Sequence, residues 1–331
     1  MTIAAEDYGA GSDRNCAALE RHGRYPFVGA GLVVLSAAAI AIVPTFAKLA
    51  YAGGSDTLTV ITGRCVVTAA VCFFVTFVLG RPLVIPGGSL ALSLGLGVLY
   101  AAHLYGLLGA VMYLPVNIVV LIYYLHPLII GVIAICARHQ VASPLRLGAL
   151  LGAVTGLGLA VGFSLQGLSW AGIALASMAA VLAAVVITGS SFAMRSSDSL
   201  AVTSYMMLSA TVCLVLLSLA QGDLNLPATA EGWFGFAGVA ATHTIGTLAF
   251  FAAIPLLGAV RAAMITNLEP VLGIVFATLI LGERLSPAQA TGIAMVIASI
   301  FAMEMARPTA RTGGRPTARR TAKRSLWIAP K

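Results

Sequence analysis

The sequence predicts an all-α polytopic membrane protein of ten transmembrane helices, arranged as two inverted five-helix repeats. Three observations carry this expectation. Of 331 residues, 60% are apolar and only 9% charged, against ~45–50% and ~25% for a soluble globular chain. That is too few charges to coat a water-exposed surface, which excludes a soluble enzyme and a disordered chain alike. Long runs carry no Asp, Glu, Lys or Arg: Arg81 to Arg138, Arg146 to Arg195, Asp198 to Asp223 and Glu231 to Arg261. The chain also repeats itself when shifted by 143 residues.

A bilayer core of ~30 Å needs ~20 apolar helical residues to cross it. The first two charge-free runs are each long enough for two spans, divided at Tyr113-Leu114-Pro115 and at the polar segment 164–169. The resulting spans are 27–50, 57–79, 88–111, 115–137, 144–163, 169–193, 199–220, 231–254, 257–281 and 287–305. Short loops make successive helices antiparallel neighbours. The ~10-residue alternating segments of a transmembrane barrel are absent. The first span is too long for a signal-peptide core, although Ala50-Tyr51-Ala52 mimics a cleavage site.

Orientation follows from Lys and Arg in short loops. With the N-terminus inside, the inner segments hold Arg14, Arg21, Arg24, Arg81, Arg138, Arg146, Arg195 and Arg261, while the outer loops hold Arg284, with Lys48 and Arg64 near helix ends. Both termini are expected in the cytoplasm and the chain in the inner or plasma membrane. The formal charge of +8 resides in the tail: Arg307 to Lys331 holds eight basic residues and no acidic one, leaving 11 basic against 11 acidic before it. That tail is rich in Pro, Gly and Thr and is expected to be disordered. A basic cluster beside the inner face attracts anionic lipid, so the +8 does not read as nucleic-acid binding. Cys16, Cys65, Cys72, Cys136 and Cys213 are scattered and contain no C-x-x-C pair. They read as small buried hydrophobes rather than a metal site or disulfide, and no cofactor is implied.

In the repeat, His126-Pro127 falls on Glu269-Pro270 and Ser143-Pro144 on Ser286-Pro287, with a spacing of seventeen positions from the first proline to the second in each copy. Phe46-Ala47 weakly echoes Phe192-Ala193. The organisation is then a cytoplasmic N-terminal segment (1–26), repeats at 27–163 and 169–305, and the tail (306–331). Five spans per repeat turn the second copy upside down, which is a secondary-transporter plan with its site near the midplane.

The run Asn267-Leu-Glu-Pro270, continuing through Gly282-Glu283-Arg284 to Gly292, resembles the penultimate-to-last helix signature of EamA-type transporters in the drug/metabolite transporter superfamily. Tyr124-Leu-His-Pro127 resembles that family's fourth helix, and Arg64 its arginine in the second span. Arg138-His139-Gln140 stands where the family usually has Gly-Glu-Arg, and Val43-Pro44 where a Trp is common. The resemblance implies ten helices, inverted halves, inside termini and export of small metabolites by alternating access, and leaves the substrate open among amino acids, other metabolites and drugs.

Ionisable groups deep in a span are costly and are functional candidates. Glu269 and its repeat mate His126 lie near the middle of spans nine and four, each just before a helix-breaking proline, Pro270 and Pro127. Each proline frees the carbonyl four residues back, that of Thr266 or Tyr123, and would leave it exposed beside a titratable side chain. Glu269 either faces a cavity, where it binds a substrate amine or carries a coupling proton, or is held by a structural partner such as Asn267 or a histidine. His103 and His243, near the centres of spans three and eight, either pack helices or belong to the pathway. Lys48 and Arg64 either snorkel to the outer interface or guard the outer mouth and pair with a substrate carboxylate. Tyr100, Tyr105, Tyr123 and Tyr124 either line an apolar cavity or fill the core. Gly148, Gly152 and Gly156 form a small-residue face that packs helices of one chain or seams a homodimer.

The function read from this set is a secondary transporter that exports a small metabolite, an amino acid or related compound, with proton exchange as a drive that the intramembrane Glu and His residues permit. No Gly-x-x-x-x-Gly-Lys motif is present to cradle ATP. The alternatives are a polytopic membrane enzyme acting on lipid, for which no His-Glu-x-x-His or Gly-x-Ser-x-Gly occurs, and a non-transporting receptor or scaffold.

Overall fold

With apolar side chains on nearly every face, only the backbone remains to be paired, and in the absence of water the helix does this within one segment. The computed structural model describes residues 26–114, 116–136, 144–161, 169–222, 224–281 and 286–305. The N-terminal segment, the basic tail, Arg138-His139-Gln140 and Glu283-Arg284 lie outside them. Among the described residues the chain forms α1 (Pro26–Ala41), α2 (Val43–Ala52), α3 (Thr57–Val78), α4 (Gly87–Val111), α5 (Val116–Tyr123), α6 (His126–Cys136) and α7 (Pro144–Val161). There follow α8 (Trp170–Ala193), α9 (Ser199–Gln221), α10 (Ala230–Leu257), α11 (Ala259–Ile265), α12 (Leu268–Leu281) and α13 (Pro287–Met305).

One turn residue, Ile42, separates α1 from α2, and two-residue turns split α5 from α6 and α11 from α12. Joined across these breaks, the helices make ten continuous stretches at the places the charge-free runs indicate. Seven are long and apolar enough to cross a membrane, and three shorter apolar helices lie within 118–134, 147–161 and 287–303. Their outward faces carry Phe74, Phe77, Trp170, Phe234 and Phe301, all more than half exposed. This is a multi-pass membrane protein. Cys65 and Cys72 are fully buried free thiols, as small hydrophobes would be, whereas Cys136 is exposed.

The helix ends follow ordinary capping chemistry. The Asp56 carboxylate accepts from the amides of Leu58 and Thr59 at 3.0 and 3.2 Å, and Asp198 accepts from Leu200 at 2.9 Å. The two caps open matching segments, Asp56-Thr-Leu-Thr-Val60 and Asp198-Ser-Leu-Ala-Val202. Gly222 closes α9 in the left-handed region at φ 74°.

The packing has a regular plan. Numbering the stretches one to ten, three packs on six as eight packs on one, seven on three as two on eight, and four on six as nine on one. Stretch two packs on seven and stretch five on ten. Exchanging each stretch with the one five places along leaves this pattern unchanged. The rule extends to single residues. A side chain on Gly29 would meet Leu257 at 2.8 Å, and one on Gly172 would meet Leu114 at 2.5 Å; 143 residues separate both the glycines and the leucines. Between α3 and α9, Thr62 bonds Ser218 at 3.0 Å and Thr76 bonds Ser204 at 3.3 Å. A shift of 142 residues maps each pair onto the other.

The glycine face of α7 is occupied within the chain. A Cβ on Gly152 would strike the Ser299 hydroxyl of α13 at 2.6 Å, and one on Gly156 would lie 2.9 Å from the Gly292 carbonyl. In return, a Cβ on Gly292 would lie 2.3 Å from the Ala160 nitrogen, whereas Gly148 has nothing within 4 Å. Gly292→Ala is therefore expected to lower stability by about 1–3 kcal/mol through overpacking, while Gly148→Ala leaves it unchanged. Thermal unfolding of the two variants in detergent checks this contrast.

Candidate functional site

The site grows from the two helix breaks. Proline lacks an N–H, so it cannot bond the carbonyl four residues back, and the helix interrupts itself there. Pro127 lies in the first turn of α6 and Pro270 in that of α12. The carbonyls they release are not left open, as the sequence led us to expect. His126 Nδ1 donates to the Tyr123 carbonyl at 3.0 Å, and the Glu269 amide donates to the Thr266 carbonyl at 2.9 Å. A bare carbonyl in an apolar interior costs too much to persist, and the nearest donor in each copy closes it.

The breaks turn His126 and Glu269 toward a common cavity of about 100 Å³, on the scale of the ~150 Å³ cavities that accept a benzene-sized molecule. It lies among α1, α4, α5, α6, α8, α10 and α12, with Thr266 of the α11–α12 turn on its wall. His103 and His126 are buried at 4% and 3% exposure, and Glu269 is half-buried. Tyr124 stands within interaction range of Glu269. His103 Nδ1 donates to the Tyr100 carbonyl at 3.1 Å. Its ring stacks on Tyr123 at 5.6 Å, and Tyr123 in turn touches His126 at 5.0 Å. Phe250 and Phe251 supply the apolar side, and the Ser36 hydroxyl, buried on the wall, has no protein partner.

His243 stands behind this wall. Its Nε2 lies 3.2 Å from the Tyr100 hydroxyl and its Nδ1 3.1 Å from that of Thr68. Thr68 also contacts Thr244 at 2.9 Å and donates to the Arg64 carbonyl at 2.7 Å. The network ties α3, α4 and α10 together. Arg64 is half-buried and outside the lining, and its charge reaches Glu269, Tyr100, His103 and His243. Lys48 is exposed on α2. Asn267, 2% exposed, points its amide at the Met264 sulfur, 3.7 Å away. Tyr105 is exposed.

Of the residues singled out from sequence, Glu269, His126, His103, Tyr100 and Tyr123 thus meet on one cavity. His243 and Arg64 lie just outside it, and Lys48 and Asn267 lie elsewhere. Sequence reasoning missed Ser36, Thr68, Thr247, Phe250 and Phe251. These are neutral residue types that recur throughout membrane helices, and only their convergence marks them. Among the described residues, no three His, Cys, Asp or Glu side chains are grouped to hold a metal ion.

Residues 170–305 match the profile of the EamA-like transporter family. This part of the chain is similar to EamA-like transporters. It includes α8 to α13 and so contributes Glu269, His243, Phe250 and Phe251 to the site and its support. A solved crystal structure of a protein superposes on the chain with a TM-score of 0.69 at 17% identity, covering 83% of this chain and 96% of that one. At that identity the likeness is one of fold, and it extends beyond the EamA-like part into the first half. No curated protein matches the chain.

Removing His243 takes from the Tyr100 hydroxyl its partner in an apolar interior, while Thr68 keeps the Arg64 carbonyl. His243→Ala is expected to cost about 1–3 kcal/mol, while Tyr105→Ala, at a position 45% exposed, stays within about 0.5 kcal/mol. Thermal unfolding in detergent separates the two.

Proposed function

We propose that the chain is a secondary transporter that exports a small metabolite, an amino acid or related compound, across the inner or plasma membrane by alternating access. In this reading ten spans form two inverted five-helix halves, both termini are cytoplasmic, and Glu269 binds the substrate or carries a coupling proton. The observation that carries it is a carboxylate and two buried histidines gathered on one cavity at the breaks of two apolar helices. Such groups are expensive in a membrane interior, and a purely structural protein gains nothing by collecting them around empty space.

The exchange of stretch n with n + 5 supports the inverted halves, because an odd offset reverses direction across the bilayer. Two halves of one design, in opposite orientations, can trade conformations and so open the shared cavity to either side. The family of residues 170–305 supports transport. The Arg81–Asp198 contact, 3.4 Å long, lies at the end of α3 assigned to the cytoplasm.

Counterflow in proteoliposomes tests this reading. Wild type is expected to exchange labelled amino acids, and Glu269→Gln to reduce the rate at least tenfold and flatten its pH dependence. Equal rates and pH profiles in the two proteins overturn the assignment of Glu269. A C-terminal reporter fusion that is active only outside the cytoplasm overturns the orientation.

A further inference from the structure

The hydrogen bonds around the cavity fix where the protons point. A carbonyl can only accept, so the bonds from His103 Nδ1 to Tyr100 at 3.1 Å and from His126 Nδ1 to Tyr123 at 3.0 Å place a proton on each Nδ1. In a neutral imidazole, Nε2 is then an acceptor. A change of tautomer would abandon the Tyr123 carbonyl at His126, and at His103 would set a ring lone pair against the Tyr100 carbonyl.

Tyr100 is oriented by a longer chain. Thr68 has one hydroxyl proton, and its shortest contact, 2.7 Å, is to the Arg64 carbonyl. The Thr68 oxygen therefore accepts from His243 Nδ1 at 3.1 Å, which leaves His243 Nε2 to accept the Tyr100 proton at 3.2 Å. The Tyr100 proton points away from the cavity. Thr247 stands on the same cavity wall as Tyr100. With its proton committed, the Tyr100 oxygen meets the cavity only as an acceptor. Thr266 likewise spends its proton on the Ala263 carbonyl at 2.6 Å. Glu269, on the lining, offers only acceptor oxygens when ionised.

From this we infer that the cavity is an acceptor-lined site for a small primary ammonium, with its N–H groups shared among Glu269, His103, His126 and Tyr100. The inference rests on the transporter reading of the same cavity and narrows its ligand. The faces of Tyr123 and Phe250 suit the apolar part of such a ligand and attract a cation. Among the described residues, lysine and arginine are missing from the lining, so that lining offers a ligand carboxylate no cationic partner. Arg64 acts on Glu269 from outside the lining and opposes a bare positive charge. The ligand is consequently held by directed N–H bonds rather than by net charge. Thr68 is a positioning residue, since it touches the cavity only through His243 and Tyr100.

The test uses wild-type proteoliposomes and three probes of one shape: phenethylamine, its carboxylated parent phenylalanine, and N,N,N-trimethylphenethylammonium, which has the charge but no ammonium N–H. Phenethylamine is expected to exchange at least tenfold faster than either of the others. Thr68→Val is expected to erase its preference over the trimethyl compound, and Thr68→Ser to restore it, which a merely folded or unfolded variant would not do. Faster exchange of phenylalanine leaves transport standing and overturns the acceptor-lined site. Equal exchange of the two cations does the same, because charge alone then suffices. Exchange of none of the three, alongside active amino-acid counterflow, also overturns this ligand alone. Absence of all flux overturns the transporter reading and this inference with it.

Discussion

Hydrocarbon surroundings leave no water to take up a stray N–H or C=O, and the rest of this structure depends on that constraint. It forces the chain into helices and then decides what happens wherever a helix must break. At Pro127 the released carbonyl is closed by a histidine side chain, and at Pro270 by the amide of Glu269. Closing the first of these fixes one ring nitrogen of His126 and leaves the other for the cavity. Backbone economy and site chemistry are therefore the same event. His103, bonded to the Tyr100 carbonyl one turn back, repeats the device within an unbroken helix.

The same constraint explains why so much of the fold was legible. Charges are excluded from the spans, so charge-free runs mark them, and the breaks fall where proline must interrupt the ladder. The repeat was legible through His126-Pro127 and Glu269-Pro270 because a proline needs its own place in the pattern. The matching Asp-x-Leu-x-Val caps at Asp56 and Asp198 were also available in the sequence, but the unequal lengths of the preceding segments hid them from the comparison. Glu269 and His126 stood out because ionisable groups are rare in lipid. Ser36, Thr68 and Thr247 did not, because a hydroxyl can always turn back on its own helix and costs little to carry.

Lys48 and Arg64 illustrate the limit of position along the chain. Both are basic and close to the same turn, and both read either as interfacial or as guards of the outer mouth. The faces of their helices separate them: α2 leaves Lys48 exposed, while α3 brings Arg64 within one turn of Thr68 and within electrostatic reach of Glu269. The direction of a side chain around its helix axis depends on tertiary packing, which composition and periodicity do not contain in so uniformly apolar a chain. Asn267 shows the same dependence, turning to the Met264 sulfur from a position adjacent in sequence to the site.

The seam between α3 and α9 has a consequence for how such a chain can diversify. Its two hydroxyl bonds, Thr62 to Ser218 and Thr76 to Ser204, occupy equivalent places at opposite ends of one interface. They are made by four separate codons. In an assembly of two identical subunits, a change at one end of a symmetric interface is always copied to the other. Here a single substitution strengthens or loosens one end alone. A single chain that carries both ends of such an interface can thus favour one end through ordinary point mutation, a freedom that strict symmetry withholds.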